Sequence, residues 1–213
     1  MKITWLGHAC FLIEADGRRI VTDPYGEKVP YDLPATDADL VTVSHGHADH
    51  NAVGRIGGSP AIVQATGTLE AGGVTLRGIA SFHDNERGAK RGENILYLFE
   101  LEGLRLAHLG DLGAPLDAAQ KEALSEVDVV LCPVGGTYTI DAQQAADLAS
   151  GLPRLRVLIP MHYKTDRLAD WPIETVDGVA RLMENVRRVG GTTVELTREI
   201  LPDRLEVWIL DYA

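Results

Sequence analysis

Short apolar runs broken by Gly, Asp and Pro crowd the first half of the chain, and spacing typical of helices appears mainly after residue 115. Strands are therefore expected early and helices late. Phe11–Glu14 and Arg19–Thr22 flank Asp16-Gly17, a pair that favours the positive φ angles of a tight hairpin turn. Ile95–Leu101 and Leu104–Leu109 repeat the design around Glu102-Gly103.

The two hairpins share their sequel as well. The first runs out into Asp23-Pro24 and the second into Gly110-Asp111, so each delivers a carboxylate at its exit. An acidic lead into an apolar strand follows in both cases, Asp39–Ser44 and Val127–Cys132. The pattern is that of a diverged internal duplication. Two similar halves packed sheet against sheet, with helices outside, bring the strand ends of both to one edge, where a site is expected. Helices are predicted over Leu116–Glu126, Asp141–Ser150 and about Glu174–Val189. Asp141 serves as an N-cap, Gly151 and Gly190-Gly191 as stops, and Leu182, Val186 and Val189 as an apolar stripe. No low-complexity linker divides the chain, which reads as one domain, 1–213, of three or four layers.

Charge and cysteine content narrow the function classes. With 20 Lys+Arg against 31 Asp+Glu, the formal charge of −11 disfavours a nucleic-acid partner. Cys10 and Cys132 lie inside apolar runs without a second sulfur at metal-ligand spacing, so buried reduced thiols are expected. No signal-type N-terminus and no apolar run of membrane-spanning length occurs, and a cytoplasmic protein with a small-molecule substrate and no membrane partner is the expectation. Assembly into a homo-oligomer is left open.

The chemistry concentrates in His45-Gly46-His47-Ala48-Asp49-His50, directly after the strand Leu40–Ser44. In extended backbone His45 and His47 point to one side, and a following helical turn brings Asp49 and His50 to a neighbouring point. Chance placement of this chain's histidines yields such a run on the order of once in a thousand arrangements. A two-metal hydrolytic site needs further ligands, and His8, His83, His108, Asp111 and His162 are the candidates. His83 and His162 end apolar strands and Asp111 leaves the second hairpin, so these three are preferred. His108, three residues before Asp111 on one strand, is expected to face away as a supporting or core group. His8 is a candidate proton donor or hydrogen-bond partner.

Five motifs occur in order: Trp5–Cys10, Asp23-Pro24, the His45–His50 run, Gly110-Asp111 and Pro160–Tyr163. Together, across Lys2 to Thr165, they resemble the metallo-β-lactamase superfamily, above all its small UlaG-like and YtkL-like hydrolases. The resemblance implies an α/β fold, a four-layer αββα sandwich of two mixed sheets. It implies one ion held by His45, His47 and His83, a second by Asp49, His50 and His162, and Asp111 bridging them. Asp23 would orient the histidine loop from behind. The metals implied are two divalent ions, zinc first, with manganese or iron as alternatives.

On this reading a hydroxide bridging the two ions cleaves an ester, lactone or phosphodiester bond of a small anionic molecule. Asp49 and Asp111 orient it, and His8 or Tyr163 acts in proton transfer or on the oxyanion. A di-iron redox protein and a non-catalytic metal-binding module are the alternatives on the same fold. The run after His83, Asp84 to Gly92, replaces the glyoxalase-type His-Thr-Pro-Gly-His, which disfavours glutathione thioesters and persulfides as substrates. Its Arg87, Lys90 and Arg91 suggest a mobile lip that captures an anion, with Lys164 a weaker candidate for the same duty.

Overall fold

A computed structural model describes residues 1–213. In chain order the elements are β1 (Lys2–Gly7), β2 (Cys10–Ala15), β3 (Arg18–Thr22), β4 (Asp37–Thr42), β5 (Gly57–Val63), β6 (Gly67–Ala71), β7 (Val74–Phe82), β8 (Glu93–Leu101) and β9 (Leu104–His108). There follow α1 (Ala118–Ala123), β10 (Val129–Pro133), α2 (Ala142–Ser150), β11 (Val157–Met161), α3 (Asp177–Leu182), β12 (Val186–Arg188), β13 (Thr193–Glu195) and β14 (Glu206–Ile209). The strands form two mixed sheets, a six-stranded one ordered β13-β1-β2-β3-β4-β5 and an eight-stranded one ordered β12-β14-β11-β10-β9-β8-β7-β6.

The expected internal repeat is present in the topology. In the first half β1, β2 and β3 are antiparallel neighbours and β4 and β5 join parallel; in the second half β7, β8 and β9 are antiparallel and β10 and β11 join parallel. Both hairpin turns have positive φ at both central residues, Asp16 at 51° and Gly17 at 71°, Glu102 at 50° and Gly103 at 73°. That geometry matches the right-handed twist of the flanking strands and fixes the register.

Side chains alternate cleanly between two cores. From the six-stranded sheet Ile3, Trp5, Phe11, Ile13, Ile20 and Leu40 point into the main core shared with the second sheet. Their sequence neighbours Leu6, Cys10, Leu12, Val21 and Val41 point outward into a smaller cluster with Tyr25, Tyr31, Leu168 and Ile173. On that side the covering layer is built from the segment between β3 and β4, a 3-10 turn at Val53–Arg55 and the stretch around Leu168, in place of long helices. The parallel strands β10 and β11 are buried throughout, and Leu124, Ala145, Leu148, Ala149 and Val179 of the α1, α2 and α3 regions join their core. Both cysteines are buried and free.

Helix ends follow the capping chemistry where it exists. Asp117 and Asp141 each accept the backbone N–H of the residue three along, from Gln120 and Gln144, whose side chains return the bond. The helix expected over Glu174–Val189 is shorter. Met183 is extended, with φ −108° and ψ 139°, and Val186–Arg188 leave as a strand pairing in parallel with β14. Of the apolar stripe Leu182, Val186 and Val189, the first two are 46% and 38% exposed, and Val189 packs against the core. Partnership with β14 overrides a helical period carried by β-branched valines. Gly151 ends α2 with an ordinary φ of −82°, whereas Gly190 does adopt φ 71°.

Candidate metal centre

The centre forms where the C-terminal ends of β4, β9 and β11 meet the turn after β1 and the end of β7. Beyond β4 the chain does not continue into a helix; His50 N–H donates to His47 O at 3.0 Å, closing a turn that folds Asp49 and His50 back beside His45. Asp23, at the exit of the first hairpin, organises this loop. Its Oδ1 accepts Ser44 N–H at 2.7 Å, and its Oδ2 accepts Ser44 Oγ–H at 2.5 Å and His50 Nδ1–H at 2.9 Å. Because Ser44 gives its proton to the carboxylate, Ser44 Oγ accepts from His45 Nδ1–H at 2.9 Å. Asp23 thus leaves Nε2 of both His45 and His50 unprotonated and aimed into the pocket, the usual way a carboxylate behind a ligand fixes its tautomer.

Asp111 is the meeting point. Its Oδ2 lies 3.2 Å from Nε2 of His50, 3.2 Å from that of His83, 3.3 Å from that of His162 and 3.9 Å from that of His45. Asn94 holds it in place, accepting Asp111 N–H at 3.0 Å while its own amide donates to Leu109 O and Ser81 Oγ. The turn into Asp111 requires Gly110: φ is 52°, and a Cβ there would stand 2.4 Å from Asn94 Oδ1 and 2.5 Å from Ser44 Cβ. Ser44 and Asn94 were not singled out in the sequence, since a lone Ser before the histidine run and a lone Asn in a strand carry no local signature.

The donors divide into two groups whose ligating atoms lie within 4.8 Å of one another: His45, His47 and His83 in one, and Asp49, His50, His162 and His8 in the other. Buried polar atoms without partners gather here, among them Asp111 Oδ1 and His50 Nε2. A bare imidazole lone pair facing a carboxylate lone pair at 3.2 Å is repulsive unless a cation stands between them. In the absence of a metal a proton takes that place: burial opposes it, yet Asp111 and Asp23 raise the His50 pKa above the usual histidine range. Donors about 2.1 Å from one ion stand roughly 3–3.5 Å apart, so this set fits divalent cations.

His8 sits on the second group. It is fully buried, adopts φ 53°, and its Nε2–H donates to Asp49 Oδ2 at 3.3 Å. Burial and the neighbouring His162 push its pKa down to about 4, so at neutral pH it is an uncharged hydrogen-bond donor and not an acid. His45 is lowered likewise, to about 3, by burial and by His50. Asp49 stays ionised: although burial raises its pKa, His8 and His50 outweigh that and lower it. His108 is satisfied away from the centre, donating Nε2–H to Ala9 O at 2.8 Å and accepting Gly110 N–H at Nδ1. It ties β9 to the turn that carries His8.

Several expected substrate or catalytic residues are placed elsewhere. His162 has φ 51°, and the chain turns there so that Tyr163 is buried against Trp5, ring centroids 5.1 Å apart, away from the pocket. Lys90 pairs with exposed Glu86, Arg87 is exposed, and Lys164 bridges to Thr175 outside the pocket lining. The 84–92 loop is stapled, not a loose lip: the Asp84 carboxylate accepts N–H bonds of 2.7–2.9 Å from Glu86, Gly88, Lys90 and Arg91. Only Arg91 of the three loop cations reaches the pocket, a cavity of about 310 Å³ over His47, Asp49, His83, Asp111 and His162. Its remaining wall is Tyr138, Asp170, Trp171 and Pro172, none of which stood out in the sequence.

A pocket of imidazoles and carboxylates at the shared edge of two facing mixed sheets is the arrangement of the metal-dependent hydrolases built on this sandwich. The chain belongs to the metallo-β-lactamase superfamily, a model of the beta-lactamase superfamily domain matching residues 2–162. It is 31% identical to a UPF0173 metal-dependent hydrolase of Carboxydothermus hydrogenoformans, over 89% of this chain and 94% of that protein. Among solved structures, a metallo-β-lactamase superfamily protein from Thermotoga maritima superposes with TM-score 0.83 at 39% identity, covering 100% of this chain and 99% of the other. Igni18, a metallo hydrolase of Ignicoccus hospitalis, superposes with TM-score 0.65 at 25% identity, covering 92% and 99%. No helix is long and apolar enough to cross a membrane.

Proposed function

We propose that this chain hydrolyses an ester, lactone or phosphodiester bond of a small molecule with the help of two divalent metal ions, zinc first and manganese or iron as alternatives. The observation that carries the reading is the gathering of donors into two groups, His45, His47 and His83 in one and Asp49, His50 and His162 with His8 in the other, and Asp111 Oδ2 close to His50, His83 and His162. Two such ions would supply Lewis acidity and would bring the pKa of a bound water toward about 7.

The protein's own groups do the rest. Asp49, ionised and half-buried at the pocket floor, accepts a proton from the attacking water or orients it, while neutral His8 fixes the carboxylate from behind. Tyr138, at the pocket wall, takes the role expected of Tyr163 and offers its hydroxyl to the substrate oxyanion. Purified protein should carry close to two equivalents of metal by elemental analysis. It should also cleave at least one class in a panel of lactones, phosphodiesters and thioesters, with activity abolished by a chelator and restored by zinc or manganese. Metal-replete protein inert across the panel refutes the hydrolase, and iron with visible absorbance supports the redox alternative.

A further inference from the structure

Resting on the hydrolase reading, we infer that Arg91, Tyr138 and Trp171 form the substrate-recognition wall, and that the substrate is a compact molecule bearing a carboxylate or phosphate beside an apolar body. Arg91 is half-buried and, unlike Lys90, pairs with no carboxylate. Its guanidinium lies over the Tyr138 ring, 4.6 Å from the centroid, and donates to Thr137 O at 3.3 Å. These contacts use one face and one N–H of the fork and leave further donors beside the cavity.

Hydrogen bonds brace this wall from behind. Asp84 fixes the Arg91 backbone N–H at 2.7 Å. Thr137, with φ 59°, presents Tyr138 and donates its hydroxyl to Pro172 O, and Glu174 N–H donates to Gly135 O at 2.8 Å. The loops after β7, β10 and β11 are thereby laced into one rim. Trp171, half-buried, places its ring edge-on to His8 at 5.5 Å and supplies the apolar side of the cavity with Pro172. A planar fork with unused donors, held by the Thr137 carbonyl and an aromatic face, is pre-organised for an oxyanion. At about 310 Å³ the cavity lies at the low end of small-molecule sites, so the apolar body is of the order of one ring.

Zinc-loaded protein titrated with benzoate, phenyl phosphate and benzyl alcohol tests the assignment by calorimetry, without requiring turnover. Benzoate or phenyl phosphate should bind at least tenfold more tightly than benzyl alcohol, and the preferred anion identifies carboxylate or phosphate as the recognised group. Arg91→Ala should remove most of that preference while leaving benzyl alcohol and zinc content unchanged, Arg91→Lys should keep part of it, and Trp171→Ala should weaken all three probes. Equal affinity for the anions and the alcohol in the wild type, or an Arg91→Ala preference within twofold of wild type, overturns the inference. The metal content and the hydrolysis panel judge the hydrolase reading separately.

Discussion

At the scale of single residues, the centre is a set of tautomers fixed by carboxylates. Asp23 governs two histidines at once, His50 directly and His45 through Ser44, so its charge matters more than its volume. Asp23→Asn preserves the shape and tolerates the φ of 40°, but its amide cannot accept from both Ser44 and His50 at the former Oδ2 if it presents NH₂ there. Metal affinity should fall about 10- to 100-fold, measured by competition with a chromophoric chelator; an unchanged affinity would show that the tautomers are set elsewhere. His8 gives a pH-dependent prediction. Its folded pKa of about 4 lies below the ordinary 6.5, so the unfolded chain binds more protons between those values and metal-free stability falls as pH drops from 6.5 toward 4. The contribution is at most on the order of 3 kcal/mol, taking roughly 1.4 kcal/mol per unit. In His8→Asn, denaturant midpoints should vary less steeply with pH across that window, and a slope equal to wild type would remove His8 as a source.

Among the elements, local chemistry made some parts legible and long-range pairing concealed others. The Asp-Gly and Glu-Gly hairpins and the Asp141 N-cap are decided within four residues of sequence and appear where expected, while Asp117 caps the first helix one residue after the expected start. Asp141→Ala should therefore cost about 1 kcal/mol, read as a lowered thermal midpoint, with the metal centre unaffected. By contrast, the fate of Val186–Arg188 is decided by β14, some twenty residues on, and no local period announces it. The histidine run, His83, Asp111 and His162 were legible because they sit at ends of apolar runs. Tyr163 reads into the site from its place beside His162 in the Pro160–Tyr163 motif, but its ring packs against Trp5. Tyr138, Trp171 and Asp170 lie in irregular rim segments, where position depends on lacing between loops and not on pattern. Asp84 exemplifies such lacing: Asp84→Ala should speed hydrogen exchange at the amides of 86–91 while the β7 and β8 amides stay protected, and uniform protection would show that the loop is held by other contacts.

At the scale of the whole molecule, the two pseudo-equivalent halves each contribute a hairpin-exit carboxylate, and these lie at opposite depths of one centre, Asp23 behind the histidines and Asp111 among them. The candidate metal-binding side chains sit just beyond the ends of β4, β7, β9 and β11, so an ion held by them would tie both sheets together across their open edge. Binding to the folded state alone stabilises by about 4 kcal/mol when free metal is a thousandfold above its dissociation constant. For a protein of this size that corresponds to roughly 10 °C in thermal midpoint. Dialysis against a chelator should lower the midpoint by that order and readdition of zinc should restore it. The midpoint difference between metal-loaded and metal-free protein should be smaller at pH 5.5 than at pH 7.5, because the imidazoles must shed protons to bind metal. His108, which spans the sheets through Ala9 O without touching the donors, separates the two ways of joining the halves. His108→Leu should lower the midpoint of metal-free and metal-loaded protein alike, whereas a loss confined to the loaded form would mean that His108 acts through the ions after all.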